Sequence, residues 1–177
     1  VAALNRPASL PAVAKAALDA LALLAVGAAV LGRVWCSVFI AGRKDAELVV
    51  SGPYSACRHP LYLLSVLGGA GLGFATHSAT LTAATMLLLC LLFGRAARAE
   101  EAFLASRHPR QFAEYAAGTP RFWPRFDRYR VPAAVEVRPP VLWKAFVDAG
   151  AFLLLLAVVM ATRRLRDEGA WPAWFVL

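Results

Sequence analysis

Apolar residues in this chain fall in long unbroken blocks, not in the alternation of a strand or the narrow stripe of an amphipathic helix. The first block runs from about residue 16 to 40, interrupted only by Asp19 and Arg33 near its ends. A polar, glycine-rich stretch follows at 41–59 and reads as a loop. Pro60 opens a second block, 61–76, and proline suits a first helical position, where its missing N–H leaves no bond unmade. His77-Ser78 makes a tight turn into a third block, about 79–94, so the two blocks form a helical hairpin. Residues 95–106 continue as a helix leaving the apolar zone. Pro109 restarts a short helix through Phe112 and Tyr115, and the proline- and arginine-rich stretch 118–140 lies along a surface. A fourth block covers about 141–162; the tail beyond it carries Arg163, Arg164 and Arg166, then the interface-type aromatics Trp171, Trp174 and Phe175.

Blocks of this length exceed what a soluble core needs, and composition agrees. The chain of 177 residues is 60% hydrophobic and 17% charged, against roughly half apolar in soluble domains. The expected fold is all-α: a polytopic integral membrane helical bundle with about four transmembrane helices and a helical/loop cap on the cytoplasmic face. It is one membrane domain over 1–177, with chemistry concentrated in 42–124 and an additional membrane segment and tail at 141–177. Arg6 and Lys15 before the first block imitate a signal peptide, but the block runs on too far and lacks a clean cleavage site, so it reads as a retained span.

The net charge of +8 raises nucleic acid as a partner. Once the spans are removed no soluble basic module remains, so none is expected. The basic residues instead flank the spans. With four crossings, fourteen of the nineteen Lys and Arg collect on the face holding 41–59 and 95–140. That bias puts this face in the cytoplasm and both termini outside. The basic tail pulls the other way, which a last segment that dips in without crossing would resolve.

Smaller features carry less. Cys36, Cys57 and Cys90 lack a CxxC spacing, and Cys57 with His59 supplies only two ligands, so no metal site is expected. In Gly68-Gly69-Ala70-Gly71-Leu72-Gly73, the four-residue spacing of Gly69 and Gly73 suits close helix packing in lipid. No strand precedes the run, so phosphate cradling is a poor reading of it. Lys15 and Asp19, four apart, are placed to pair at an interface.

Two polar clusters flank the hairpin: Gly52-Pro53-Tyr54-Ser55-Ala56-Cys57-Arg58-His59-Pro60-Leu61-Tyr62, and Glu100-Glu101 followed by Tyr115 and Pro120-Arg121-Phe122-Trp123-Pro124. The hairpin returns the chain to the face it left, so topology alone allows Arg58 and His59 to approach Glu100 and Glu101. Arg98, three residues before Glu101, is its expected local partner. Glu100 has no basic residue three or four positions away. Two readings of it stand: an ion pair with Arg58 or solvation, or a carboxylate facing a bound cation or ribose hydroxyls. His59 either caps the second span or belongs to a helix N-terminus that receives a carboxylate or phosphate.

The run Gly42-Arg43-Lys44, Leu48-Val49, Gly52-Pro53-Tyr54 and Arg58-His59-Pro60-Leu61-Tyr62 resembles the first signature of the isoprenylcysteine carboxyl methyltransferase family, and is similar to that of phospholipid N-methyltransferases. Glu100-Glu101, Phe112, Glu114-Tyr115 and Pro120-Arg121-Phe122 resemble the second. The likeness covers about residues 30–124 and departs at His108-Pro109, where the family often has Phe-Gly. It implies S-adenosylmethionine as methyl donor, with cofactor contacts at His59, Pro60, Tyr62, Glu100, Glu101 and Tyr115. It implies a site open to cytosol for the cofactor and to lipid for a lipophilic small-molecule acceptor.

The residue types suit that chemistry. Carboxylates and aromatic faces accommodate a sulfonium, and a helix N-terminus or arginine accommodates the donor's carboxylate. Methyl transfer is an in-line displacement in which positioning supplies much of the catalysis. The residues expected to act on the reactants are Arg58, Glu100 and Arg121. The two arginines either hold an anionic acceptor or bind the phosphate of membrane lipid. Two other functions stand beside this one. A membrane reductase using NADPH is suggested by similarity to sterol reductases in the same region; a non-enzymatic helix-packing or lipid-binding subunit would need neither cofactor.

Overall fold

The structure, a computed structural model, describes residues 10–40 and 47–168. Gly42-Arg43-Lys44, Arg6 and the tail aromatics Trp171, Trp174 and Phe175 lie outside the described residues. The architecture is all-helical: α1 (Ala12–Ile40), α2 (Pro53–Ala56), α3 (Pro60–Ala75), α4 (Ala79–Arg107), α5 (Pro109–Gly118) and α6 (Pro139–Asp167), with a 3₁₀ turn at Phe126–Arg128. Among the described residues there is no strand, only an isolated bridge between Gly52 and Arg130.

Three of these helices, α1, α4 and α6, are long and apolar enough to cross a membrane. Each has 29 residues, roughly 43 Å at 1.5 Å per residue, against a hydrocarbon core of about 30 Å. The second expected span is a shorter apolar helix, α3, of 16 residues, so among the described residues three helices, and not four, reach full span length. Its Gly-rich sequence explains why it need not be long: α3 is the central packing element, flanked by α1 and α6 on one side and α4 on the other. The third apolar block and the segment expected to leave it are one continuous helix, α4, capped by Ser78, whose hydroxyl accepts from the Leu81 N–H at 3.3 Å. Exposed leucines on α4, among them Leu87, Leu88, Leu91 and Leu92, are expected where the surrounding solvent is lipid. The chain is an integral membrane protein.

The small residues of α3 face different partners. A side chain added at Gly73 would meet the Thr82 backbone of α4 at 2.8 Å, and one at Gly71 the Ala22 carbonyl of α1 at 3.0 Å. Gly69 faces Leu89 of α4, and Gly68 faces Phe152 of α6. The run is therefore a packing surface on all its faces, wider than the single Gly69/Gly73 ridge the spacing suggests.

At one end of the bundle, Asp19 of α1 does not pair with Lys15. Its carboxylate accepts from Arg163 of α6, with Nη2 to Oδ2 at 2.9 Å, and from His77 Nε2 at 2.9 Å. Lys15 instead sits 3.9 Å from Asp167. Arg163 also donates to the Ala75 carbonyl at 3.1 Å and contacts His77. His77 holds φ +56°, a left-handed conformation that costs a non-glycine residue about 1 kcal/mol or more. Glycine would form this turn without strain but has no imidazole to reach Asp19. The long-range triad won over the local i,i+4 pair because Arg163 and His77 are buried and need an anion, whereas Lys15 can be solvated.

At the other end, Gly52 makes the entry to α2 at φ +60°, ψ −136°, a region nearly closed to other residues. Its N–H donates to the Arg130 carbonyl at 2.7 Å, and an added Cβ would stand 2.5 Å from the ring of Phe39 on α1. This turn docks the 53–59 segment on the end of α1.

Asp19→Ala is expected to cost on the order of 3 kcal/mol by leaving the Arg163 charge buried and unpaired, seen as a lower melting temperature in detergent. The charge-swapped pair, Asp19→Arg with Arg163→Asp, is expected to recover part of that loss. Gly52→Ala is expected to destabilise by more than about 1 kcal/mol. Phe39→Ala in the same background should relieve the steric part only, leaving a residual deficit measured in the same melts.

Candidate functional site

The site is built where α3 begins. Cys57, Arg58 and His59 form the short extended link between α2 and α3, and a second extended segment, 120–125, runs beside it. The Arg58 N–H donates to the Pro120 carbonyl at 2.9 Å, His59 N–H to Arg121 at 3.1 Å, and Arg125 N–H to Ala56 at 3.0 Å. These bonds satisfy backbone groups that a buried link would otherwise leave unpaired. Tyr115 of α5 adds a tie from the side, donating its hydroxyl to the Tyr54 carbonyl at 2.6 Å.

Glu101 of α4 is the hub. It is 8% exposed, and three cationic or polar donors converge on it. His59 Nε2 lies 3.0 Å from Oε1, Arg58 Nη1 3.2 Å and Arg121 Nε 3.1 Å from the same oxygen, while Arg121 Nη2 binds Oε2. The expected Glu101–Arg98 pair does not form. A forked guanidinium across the loop makes two parallel bonds to the carboxylate, which the neighbouring helical turn cannot offer. Glu100, next along α4, faces the other ring nitrogen: His59 Nδ1 is 3.5 Å from Oε2. Arg58, on one reading the partner of Glu100, forms an ion pair with Glu101. His59 begins α3 without capping it through its side chain. Its ring stacks on Tyr62 at 5.4 Å, and Tyr62 stacks on Phe93 of α4 at 5.1 Å. Glu100 also acts on the Tyr62 hydroxyl.

Burial pushes the Tyr54 and Tyr115 phenols above their ordinary range, and Glu101 holds Arg121 in its charged form. The Cys57 thiol is pushed up to about 11 by burial, so it stays a protonated filler group at neutral pH.

The residues 53–60 form a wall. Pro53, Ala56, Cys57 and Pro60 line an apolar cavity of about 380 Å³ that is shared with Gly32, Trp35 and Cys36 of α1. Tyr54, Arg58 and His59 line a narrow cavity on the other side with Glu100, Phe112 and Tyr115. Ser55 and Tyr115 border a polar cleft of about 530 Å³ that carries Arg128 and Arg130 on one wall. The apolar residues of this stretch border the one cavity, and Tyr54, Arg58 and His59 border the other.

Of the residues singled out from sequence, Arg58, His59, Glu100, Glu101 and Arg121 thus form one connected network, with Tyr62 stacked on it and Tyr115 bordering it. Pro60, the first residue of α3, lines the apolar cavity, whereas His59, in the link before it, lines the narrow one. Tyr54 belongs to the motif but has no role assigned from sequence. Its hydroxyl, and Arg58 Nε, are buried and lack a hydrogen-bond partner. The signal that would have found Tyr54 is its spacing, four residues before Arg58 along the wall. Among the described residues no group of three or more His, Cys, Asp or Glu is arranged to hold a metal.

Comparison with known proteins bears on this geometry. The chain is 43% identical over 153 residues to the cobalt-zinc-cadmium resistance protein CzcN of Cupriavidus metallidurans, covering 86% of this chain and 70% of that protein. It is 39% identical over 162 residues to the nickel-cobalt-cadmium resistance protein NccN of Alcaligenes xylosoxydans xylosoxydans, covering 92% and 75%. No solved structure matches the chain. The model of one family matches residues 13–106, which hold α1, the partition wall, α3 and both glutamates of α4. With more than half its length matched, including the Arg-His-Pro link and the glutamate hub, the chain belongs to the isoprenylcysteine carboxyl methyltransferase family.

Proposed function

We propose that this protein is an S-adenosylmethionine-dependent methyltransferase that acts on a lipophilic or lipid-linked acceptor at the cytoplasmic face of the membrane. The observation that carries the reading is the wall at 53–60, which separates a narrow cavity of about 50 Å³, with Arg58, His59 and Glu100 in an otherwise largely apolar lining, from a wholly apolar cavity of about 380 Å³. A water-soluble donor and a membrane-borne acceptor need such a divided site, and family membership supplies the reaction class.

The residues fit the donor. Tyr54 Oη and Arg58 Nε are buried polar atoms that lack a partner and stand beside one cavity; both donate, as a carboxylate or ribose oxygen requires. His59, Tyr62, Glu100, Glu101 and Tyr115 complete the proposed binding set, and Glu100 suits the donor's ammonium or ribose. When bound, the cofactor supplies an activated methyl group on a sulfonium. Glu101 positions the others: its charge offsets Arg58 and Arg121, so these two guanidiniums sit together without mutual repulsion. Arg58, in the lining of the narrow cavity, is the group that would orient an anionic acceptor. No general base is required if the acceptor is a carboxylate or thiolate.

The relatives are named for resistance to metals. In that setting the proposed role of this chain is to methylate a membrane component whose modified form contributes to tolerance.

Glu100→Gln and Glu101→Gln are each expected to abolish binding of S-adenosylhomocysteine, measured by titration calorimetry in detergent, while cooperative unfolding persists. Wild-type-like binding by both would defeat the site assignment. Tyr54→Phe removes one hydroxyl and is expected to weaken binding about threefold to tenfold, the value of one hydrogen bond. NADPH titrated into the wild type is expected to give no heat; saturable NADPH binding would favour a reductase.

A further inference from the structure

The membrane-embedded part of the bundle holds a second cationic feature that the proposed methyl transfer does not use. Arg33 lies on α1, seven residues before its end, roughly 10 Å along the helix. Its guanidinium does not turn toward that end. Cζ stands 5.5 Å from the ring centroid of Phe152 on α6, and Nη1 donates to Ser65 on α3. Phe152 has thirteen residues of α6 before it and fifteen after, so the charge sits near the middle of that helix. The Ser65 hydroxyl is itself committed, donating to the Leu61 carbonyl at 2.7 Å.

The side chains around the charge are held by packing. Phe152 is seated on Gly68, where a Cβ would be 2.6 Å from its ring. Ser65 is buried at 4% exposure. Arg33 Nε is buried and has no hydrogen-bond partner, while the residue as a whole is half-buried. Among the described residues no carboxylate lies within ion-pair distance of it. The acid closest along α6 is Asp148, one turn before Phe152, which is exposed and joins no described ion pair. In the Asp19–Arg163–His77 cluster of this same bundle, the buried guanidinium is met by a carboxylate. An arginine of an apolar helix whose described partners are a hydroxyl and an aromatic face, with a buried Nε left over, is a ligand-site candidate by default.

We propose that Arg33, with Ser65 and Phe152, binds the anionic group of an amphiphile, a carboxylate or a phosphate, at a site separate from the Glu101 network. Ser65 stands six positions after His59, roughly 9 Å along the helix, so one group cannot occupy both. Exposed apolar side chains on the same three helices include Leu31, Leu67, Val147 and Leu155, along which an acyl or prenyl chain would lie. The site depends on neither the cofactor nor the reaction.

The test uses the full chain in phosphatidylcholine nanodiscs, with melting followed by tryptophan fluorescence. One arm adds phosphatidylglycerol, the other oleate, which separates a membrane phosphate from a carboxylate amphiphile. The wild type is expected to be stabilised by several degrees in one arm, and Arg33→Gln to need at least tenfold more of that lipid for the same shift. In neutral lipid alone, Arg33→Gln is expected to melt no lower than wild type, because an unpaired charge has been removed. Arg33→Lys, which keeps the charge but not the Nε donor, is expected to lose at least half the shift, and it serves if the glutamine variant does not fold. Asp148→Asn is expected to respond as wild type. The proposal is overturned if wild type and Arg33→Gln respond alike in both arms, or if Arg33→Lys keeps the full shift. It is equally overturned if Arg33→Gln and Asp148→Asn lower stability equally in neutral lipid, which would make Asp148 the counter-ion.

Discussion

One carboxylate, that of Glu101, holds the site end of the bundle together. It receives groups from the α2–α3 link and from the 120–125 segment, two stretches of chain that are not themselves helical. Two guanidiniums brought within reach of each other repel, and in a poorly hydrated setting that repulsion is large. Glu101 converts it into attraction, and the backbone bonds between 56–59 and 120–125 follow from the alignment. The same carboxylate fixes the His59 ring, which then has its other nitrogen and both faces available to Glu100, Tyr62 and Phe122.

Both ends of the bundle share a rule. Charges that the sequence offered a local partner took a distant one: Asp19 passed over Lys15 for Arg163, 144 residues away, and Glu101 passed over Arg98 for Arg121. In each case the chosen partner is one whose bond closes the tertiary structure. Local i,i+4 pairs on an exposed helix face contribute only tenths of a kcal/mol, whereas a buried charge without its partner costs several. Avoiding the buried, unpaired charge therefore outweighs keeping the local pair.

This rule also marks what is legible in the sequence. The apolar blocks, the helix starts at Pro60 and Pro109 and the meeting of the Arg58-His59 link with Glu100 and Glu101 follow from periodicity and hairpin topology, which are local or nearly so. The extent of α3 is readable to within a residue. Its standing as a full span is not secured by hydropathy, because a central glycine-rich helix is defined by what packs on it. The partners of Asp19, Glu100 and Glu101 depend on which distant side chain is buried, and no spacing encodes that. Adjacency groups Pro60 with His59, although one starts a helix and the other ends a link, and they border different cavities.

The wall at 53–60 has a kinetic corollary. A reactant in water is counted in moles per litre, and one dissolved in a bilayer in mole fraction of lipid. Any turnover uniting material from the two cavities would therefore slow on surface dilution, when inert lipid is added at constant bulk concentrations. Within a living membrane the turnover would track bilayer composition as closely as it tracks the aqueous pool.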